Sequence, residues 1–191
     1  MGTKAFTASG ADYAEYYEWF DGNPNNEDRR GRFVTFAEGN KIKIANSSDD
    51  YILGVISANP SIVGNGYTDN WQGMYLTDIY GEKITKIVEV PEEKIFDEDG
   101  NLVDTKPAYS YTDFIINPDY NPDQKYIGRN ERQEWGIVGT HGQLVVIDNG
   151  SCQINEYCKV ANNGTAIYSE EKTEYRVVER LDDTHIRIVI K

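Results

Sequence analysis

The sequence predicts a mainly β domain, barrel- or sandwich-like and built from hairpins, and three observations carry that prediction. Short runs of Val, Ile, Tyr and Phe recur along the chain, residue types that suit a pleated, half-buried surface, and Tyr alone occurs 14 times in 191 residues. Gly, Asn and Asp clusters punctuate those runs at short intervals. No internal repeat period shows, so a solenoid or propeller is not indicated. The length suits one large domain or two small ones.

In chain order, the first patterned stretch is Asp12-Tyr13-Ala14-Glu15-Tyr16-Tyr17-Glu18-Trp19-Phe20-Asp21, which packs four carboxylates and five aromatics into ten residues. Tyr13, Tyr16, Tyr17 and Phe20 fall at i, i+3, i+4 and i+7, so the spacing predicts a short N-terminal helix with Asp12 and Glu15 sharing a face. An element of this kind ordinarily docks on the surface with its carboxylates solvated. Thr7 to Ala11, small and flexible, reads as a segment to be threaded or cut, and residues 3–11 as the tail end of something longer.

Residues 22–32 are loop chemistry, and strands follow. Arg32–Phe36 and Lys41–Ala45 flank Glu38-Gly39-Asn40 as a hairpin, and Tyr51–Ser57 reads as a buried strand. Residues 71–80 carry Trp71, Tyr75 and Ile79 without clean periodicity. Lys83–Val90 is a strand ending at Pro91, and Ile95-Phe96 and Leu102-Val103 bracket a second hairpin. Residues 107–126, rich in Pro, Asn, Asp and Tyr, read as a long surface excursion. Strands resume at Trp135–Gly139, turn at His141-Gly142 into Gln143–Asp148, and turn again at Asn149-Gly150. Tyr157–Val160 and Thr165–Tyr168 flank Asn162-Asn163-Gly164, and Tyr175–Arg180 with His185–Ile190 close the chain as a hairpin about Asp182-Asp183. The expected organisation is an upstream linker, 1–11, and one domain, 12–191, with β lobes 12–106 and 127–191 around the excursion.

A net charge of −13 argues against a nucleic-acid-binding surface, which needs clustered Lys and Arg, and against anionic membranes. No apolar run approaches membrane-spanning length or the form of a secretory signal, so a soluble protein made in a cytoplasm is expected. Cys152 and Cys158 lack a second Cys or His pair and read as small apolar residues in a strand region rather than a zinc site or disulfide. Phosphate-loop, HExxH, GxSxG and nucleophilic-Cys motifs are missing, and Asp97–Gly100 is too short for a calcium loop of about 12 residues. His141 and His185 read as structural or solvent-facing. No metal or cofactor is called for, and carboxylates are the remaining credible catalysts.

Ala11-Asp12-Tyr13-Ala14-Glu15-Tyr16-Tyr17-Glu18-Trp19, with Asp21-Gly22-Asn23, Glu27-Asp28-Arg29 and Gly31-Arg32-Phe33-Val34, resembles the opening of the autoproteolytic C-terminal domain of bacteriophage tail spikes and neck appendages, the G2-type peptidase or intramolecular chaperone. The likeness continues through Ile52–Ser57, Arg129–Trp135 and Asp148-Asn149-Gly150 to Tyr175-Arg176-Val177. It departs at Gly128 and Gln133, where the family often has Pro, and at Thr140-His141, where a more apolar pair is usual.

The resemblance implies a homotrimer that brings three upstream β-helical fibre chains into register in the host cytoplasm, then cuts itself off, leaving the parent on the virion tail. It implies Glu15 as the catalytic carboxylate and Asp12 at the scissile bond, Ala11–Asp12. Such chemistry suits a carboxylate whose pKa is raised by aromatic burial or by a like-charged neighbour, and Asp12 and Glu15 are candidates to pair, within one chain or between chains. Either water or the Asp12 carboxylate is the nucleophile. Glu18 is a further candidate, and Arg29, Arg30, Arg129 and Arg132 are candidates to hold the oxyanion. The competing readings are a non-enzymatic trimeric tip that binds a receptor or carbohydrate, and a two-carboxylate glycosidase.

Overall fold

A computed structural model describes residues 10–66 and 73–191. The expected cut segment before Gly10, and Trp71, lie outside the described residues. The chain forms two compact units, Met1–Gly66 with Ile127–Lys191, and Tyr67–Tyr126. The division therefore falls at 66 and 126 rather than at 106, because strands from both ends of the chain share one sheet.

In chain order, the first unit carries β1 (Asp12–Glu18), β2 (Phe33–Phe36), β3 (Ile42–Ile44), β4 (Gly54–Ile56) and β5 (Ile62–Gly64). The second carries β6 (Thr85–Val90), β7 (Glu93–Phe96), β8 (Leu102–Lys106) and β9 (Tyr109–Phe114). The first unit resumes with β10 (Trp135–Ile147), β11 (Tyr157–Val160), β12 (Ala166–Ser169), β13 (Tyr175–Arg180) and β14 (His185–Ile190). The mainly β expectation holds, and the large sheet of the first unit is a curled half-barrel.

The acid–aromatic stretch is strand β1, not the predicted helix. Its tyrosines suit an extended backbone, and neighbours take up its backbone groups on both edges: β10 antiparallel from Glu18↔Trp135 to Asp12↔Gly142, and β5 parallel from Tyr13↔Ile62 to Glu15↔Gly64. The side-chain period is therefore two. Asp12, Ala14 and Tyr16 point inward, and Tyr13, Glu15 and Tyr17 point to the other face.

β10 organises the unit. It is one continuous strand of 13 residues where the sequence suggested a turn at His141-Gly142. The extra residue, Thr140, is taken up by a bulge opposite Tyr13 and Ala14. β10 also pairs with β4 at Val138↔Ile56 and with β14 from Gly142↔Ile190 to Ile147↔His185. β14 alternates as a half-buried strand should, with Ile186, Ile188 and Ile190 buried. They join Phe33, Val55, Val146 and Val177 in the main core, while Trp19, Val34, Ile42 and Val138 form a second cluster. Cys152 and Cys158 are free and fully buried in the main core, and the Cys152 hydrogen bond, together with burial, holds the Cys158 thiol well above its usual range. The Arg180 guanidinium donates to the buried Asp148 carboxylate and to the Cys152 carbonyl, tying the segment after β10 to β13.

In the second unit β6 pairs with β9 and β7 with β8, so part of the expected 107–126 excursion is strand. Lys83 lies over the Tyr75 ring at 4.4 Å and the Phe114 ring at 5.2 Å. Every residue of β8 and β9 is exposed, as are the apolar side chains of Ile79, Ile87 and Phe96.

Candidate active site

Asp12 opens β1 at the wall of a cavity of about 660 Å³, also lined by Gly10, Ala11, Arg30, Ser57, Gln143, His185 and Arg187. Ala11 is exposed, whereas Asp12 is only 6 % exposed, so the Ala11–Asp12 peptide marks the step from surface to interior. Hydrogen bonds hold its flanks on both sides. The Ser61 hydroxyl donates to the Gly10 carbonyl, the Ser61 N–H donates to the Asp12 carbonyl at 2.8 Å, and the Gln143 N–H donates to the Ala11 carbonyl at 3.1 Å.

The Asp12 carboxyl takes a hydrogen bond from Ser57, while its Oδ2 is buried without a partner among the described residues. Burial raises its pKa above the ordinary carboxylate value, with Ser57 and the Asp12 backbone opposing. The consequence for stability has a definite sign. A carboxyl with a raised folded-state pKa takes up a proton in the native state first, so its ionised form penalises the fold at neutral pH and the penalty fades as pH falls. Asp12→Asn is expected to raise the denaturation midpoint more at about pH 7 than near the unfolded aspartate pKa of about 3.9. Equal gains at both pH values would contradict the raised pKa.

Glu15 lies on the opposite face of β1. Its Oε1 accepts from the Tyr13 hydroxyl at 2.6 Å and its Oε2 from the Tyr17 hydroxyl at 3.1 Å, so both oxygens are oriented. Burial first, then the Glu15 charge, push the Tyr17 pKa up to about 12, which keeps that hydroxyl a donor at neutral pH. The expected sharing of a face by Asp12 and Glu15 is corrected here. Positions three apart in a strand project to opposite faces, so the pair does not form within one chain.

The other candidates are engaged elsewhere. Glu18 bonds Lys41 at 2.6 Å. Arg29 bonds Asp21 at 2.6 Å and Glu27 at 2.9 Å, with its guanidinium 4.5 Å from the Trp19 ring. Arg132 bonds Glu134 at 2.7 Å, and Arg129 donates to the Asn65 carbonyl and stacks 3.8 Å from the Trp135 ring. Arg29 and Arg132 meet in a second cavity of about 820 Å³, whose lining includes Trp19 and Trp135 but neither Ala11 nor Asp12. Arg30, on the Asp12 cavity, is paired with Asp28 at 2.6 Å and holds that carboxyl down to about 2. Among the described residues no group of three or more His, Cys, Asp or Glu side chains is arranged to hold a metal ion.

Ser57, Gly139, Gly142 and Gln143 were not singled out as site residues from sequence. The available signal was a pair of glycines inside a strand pattern, which marks a bulge or a close backbone approach.

The structure is thus a mainly β domain whose first strand starts at a buried acid, with the preceding peptide hydrogen-bonded at the mouth of a cavity. Residues 1–183 match the Peptidase_G2 family, the IMC autoproteolytic cleavage domain, and the chain belongs to that family. It is similar to the pre-neck appendage protein of Bacillus phage B103, 38% identical over 136 residues that make up 71% of this chain and 14% of that protein. Two crystal structures share the fold. The pre-mature gene product 12 of bacteriophage phi29 superposes with a TM-score of 0.74 at 25% identity, covering 100% of this chain and 23% of that one. The C-terminal fragment of the same gene product superposes with a TM-score of 0.68 at 27% identity, covering 94% and 99%. The chain thus corresponds to a small part of its full-length relatives.

Proposed function

We propose that this chain is the C-terminal chaperone of a phage or prophage appendage, that it assembles three copies of its parent through a homotrimer, and that it then cuts itself free at Ala11–Asp12 in a single turnover. The observation that carries this reading is the clamped Ala11–Asp12 peptide at the boundary between solvent and core, beside an Asp12 oxygen that has no partner among the described residues. Family membership supports self-cleavage. Asp12 and Glu15 are the reacting carboxylates, water or Asp12 supplying the nucleophile and Glu15 the proton chemistry.

The opposite orientation of Glu15 supports a site shared between subunits, in which Glu15 of one chain serves the bond of another. The exposed apolar ribbons of the second unit support assembly, since an isolated two-stranded hairpin is marginal in water and gains by packing against a further copy. Such a site would stay incomplete until the fibre chains had come together, which prevents early release.

Mixing tests both parts. A chain carrying its upstream segment and Glu15→Gln is combined with one whose own bond is blocked by substitution at Ala11. The Glu15→Gln chain is expected to be cut in mixed trimers, with Asp12 as the new N-terminus by mass spectrometry. No cutting at any ratio, despite verified mixing, would mean that each chain cuts itself. A monomer mass by light scattering at micromolar concentration would overturn the trimer.

A further inference from the structure

We infer that the bulge of β10, Gly139 to Gln143, is the element that positions the scissile peptide, with the Gln143 backbone N–H holding the developing oxyanion on Ala11. This rests on the reading that Ala11–Asp12 is the bond cut.

Three independent contacts converge on that bulge. The Gln143 N–H already donates to the Ala11 carbonyl at 3.1 Å. Gly142 has a φ of +105°, open to glycine and costly for other residues, and a Cβ there would run into the Ala11 oxygen and stand 2.9 Å from the Asp12 Cα. A Cβ on Gly139 would run first into the core side chain of Leu144 and would also stand 2.8 Å from the Asp12 Oδ2. The two glycines therefore make room for different groups: Gly142 for the scissile backbone, Gly139 for the Leu144 side chain and the Asp12 carboxylate that pack together over it. Thr140, the extra residue between them, gives the local offset that separates these two seats. The nearby basic side chains have other partners: Arg30 bonds Asp28, Arg187 bonds Glu179 and His185 bonds Asp182. Among the described residues, a main-chain donor is thus in direct contact with the carbonyl.

The step balances without any further reagent. A nucleophile adds to the Ala11 carbonyl carbon and the C=O pair moves onto oxygen, where the Gln143 N–H meets it. Collapse restores the C=O and breaks the bond to the Asp12 nitrogen, which leaves with a proton. One water is consumed, either as the nucleophile or in opening the anhydride that attack by Asp12 would form. A fixed donor that needs no reorganisation as charge develops is a large catalytic term, about 10²-fold or more for one contact. Gln143 supplies the catalytic group, and Gly142 and Gly139 are positioning residues.

The experiment uses the chain with its upstream segment. The wild type is first cut and its new N-terminus mapped; any terminus other than Asp12 overturns the cleavage reading and this inference with it. Given cutting at Asp12, Gly142→Ala is expected to slow cleavage about 100-fold at every pH, leaving the midpoint of the pH–rate profile in place. Gly139→Ala, which crowds the carboxylate together with the Leu144 side chain, is expected to move that midpoint, read beside a thermal melt that reports the core. A general loss of structure would not split the two effects in this way. Undiminished cutting by a folded Gly142→Ala chain overturns the inference alone. Hydrogen exchange covers the case in which that variant does not fold. The Gln143 amide is expected to be protected in a chain held uncut and to lose protection after cutting, when its Ala11 partner departs. Equal exchange in both forms overturns the inference as well.

Discussion

Replacing Glu15 with Gln is expected to stop self-cleavage of a chain that carries its upstream segment, slowing it at least about 100-fold, while folding and assembly proceed. Gln keeps the length and planarity of the side chain, and its amide can still meet the Tyr13 and Tyr17 hydroxyls that orient Glu15. What it loses is the capacity to take and return a proton. The carboxylate lies on a half-exposed face rather than in the core, so the substitution leaves packing nearly untouched. Intact mass, read over time beside a thermal melt, separates the two effects. Normal processing of Glu15→Gln would move the role to Asp12 or Glu18.

Phe33→Ala is expected to be the most damaging single core change, costing about 3–5 kcal/mol. Phe33 is fully buried, its ring centroid 4.9 Å from that of Tyr175, and it touches the core that unites strands from both ends of the chain. Truncation removes a large apolar surface and leaves a void that rigid strands on either side cannot close. Against a typical total stability of about 5–15 kcal/mol, that is enough to populate unfolded chain. Urea denaturation at fixed protein concentration measures it. A loss below about 1 kcal/mol would show a core that collapses readily around residue 33.

Most strands were legible because hydrophobic runs and turn residues agree locally. The hairpin about Asp182-Asp183 is an example: alternation in His185–Ile190 and a polar turn both point to the same pairing. The acid–aromatic stretch was misread for a physical reason. Tyr13, Tyr16, Tyr17 and Phe20 match a helical stripe, but the deciding factor is the presence of β10 and β5 on its two edges, which arrive from distant sequence. Asp12 and Ala11 were named as site residues on family likeness. Their surroundings were not, since Ser57, Gly142 and Gln143 acquire meaning only when β1 lies against β10. Gly142 even argued for a turn, because positive φ is commoner in turns than in bulged strands.

The pairing of β10 with both β1 and β14 also sets a timetable for synthesis. Gly142 faces Asp12 on one side and Ile190 on the other, so the seat of the peptide proposed to be cut depends on residues 185–190 being present. At about 5–20 residues per second, a ribosome needs roughly 10–40 s to travel from the scissile bond to that last strand. During this interval β1 exists while the sheet that would seat it is still incomplete. If the bond is cut as proposed, a chain broken off before β14 is expected to keep its Ala11–Asp12 peptide. On the proposed reading, the cut therefore waits until β14 has been made and has joined β10.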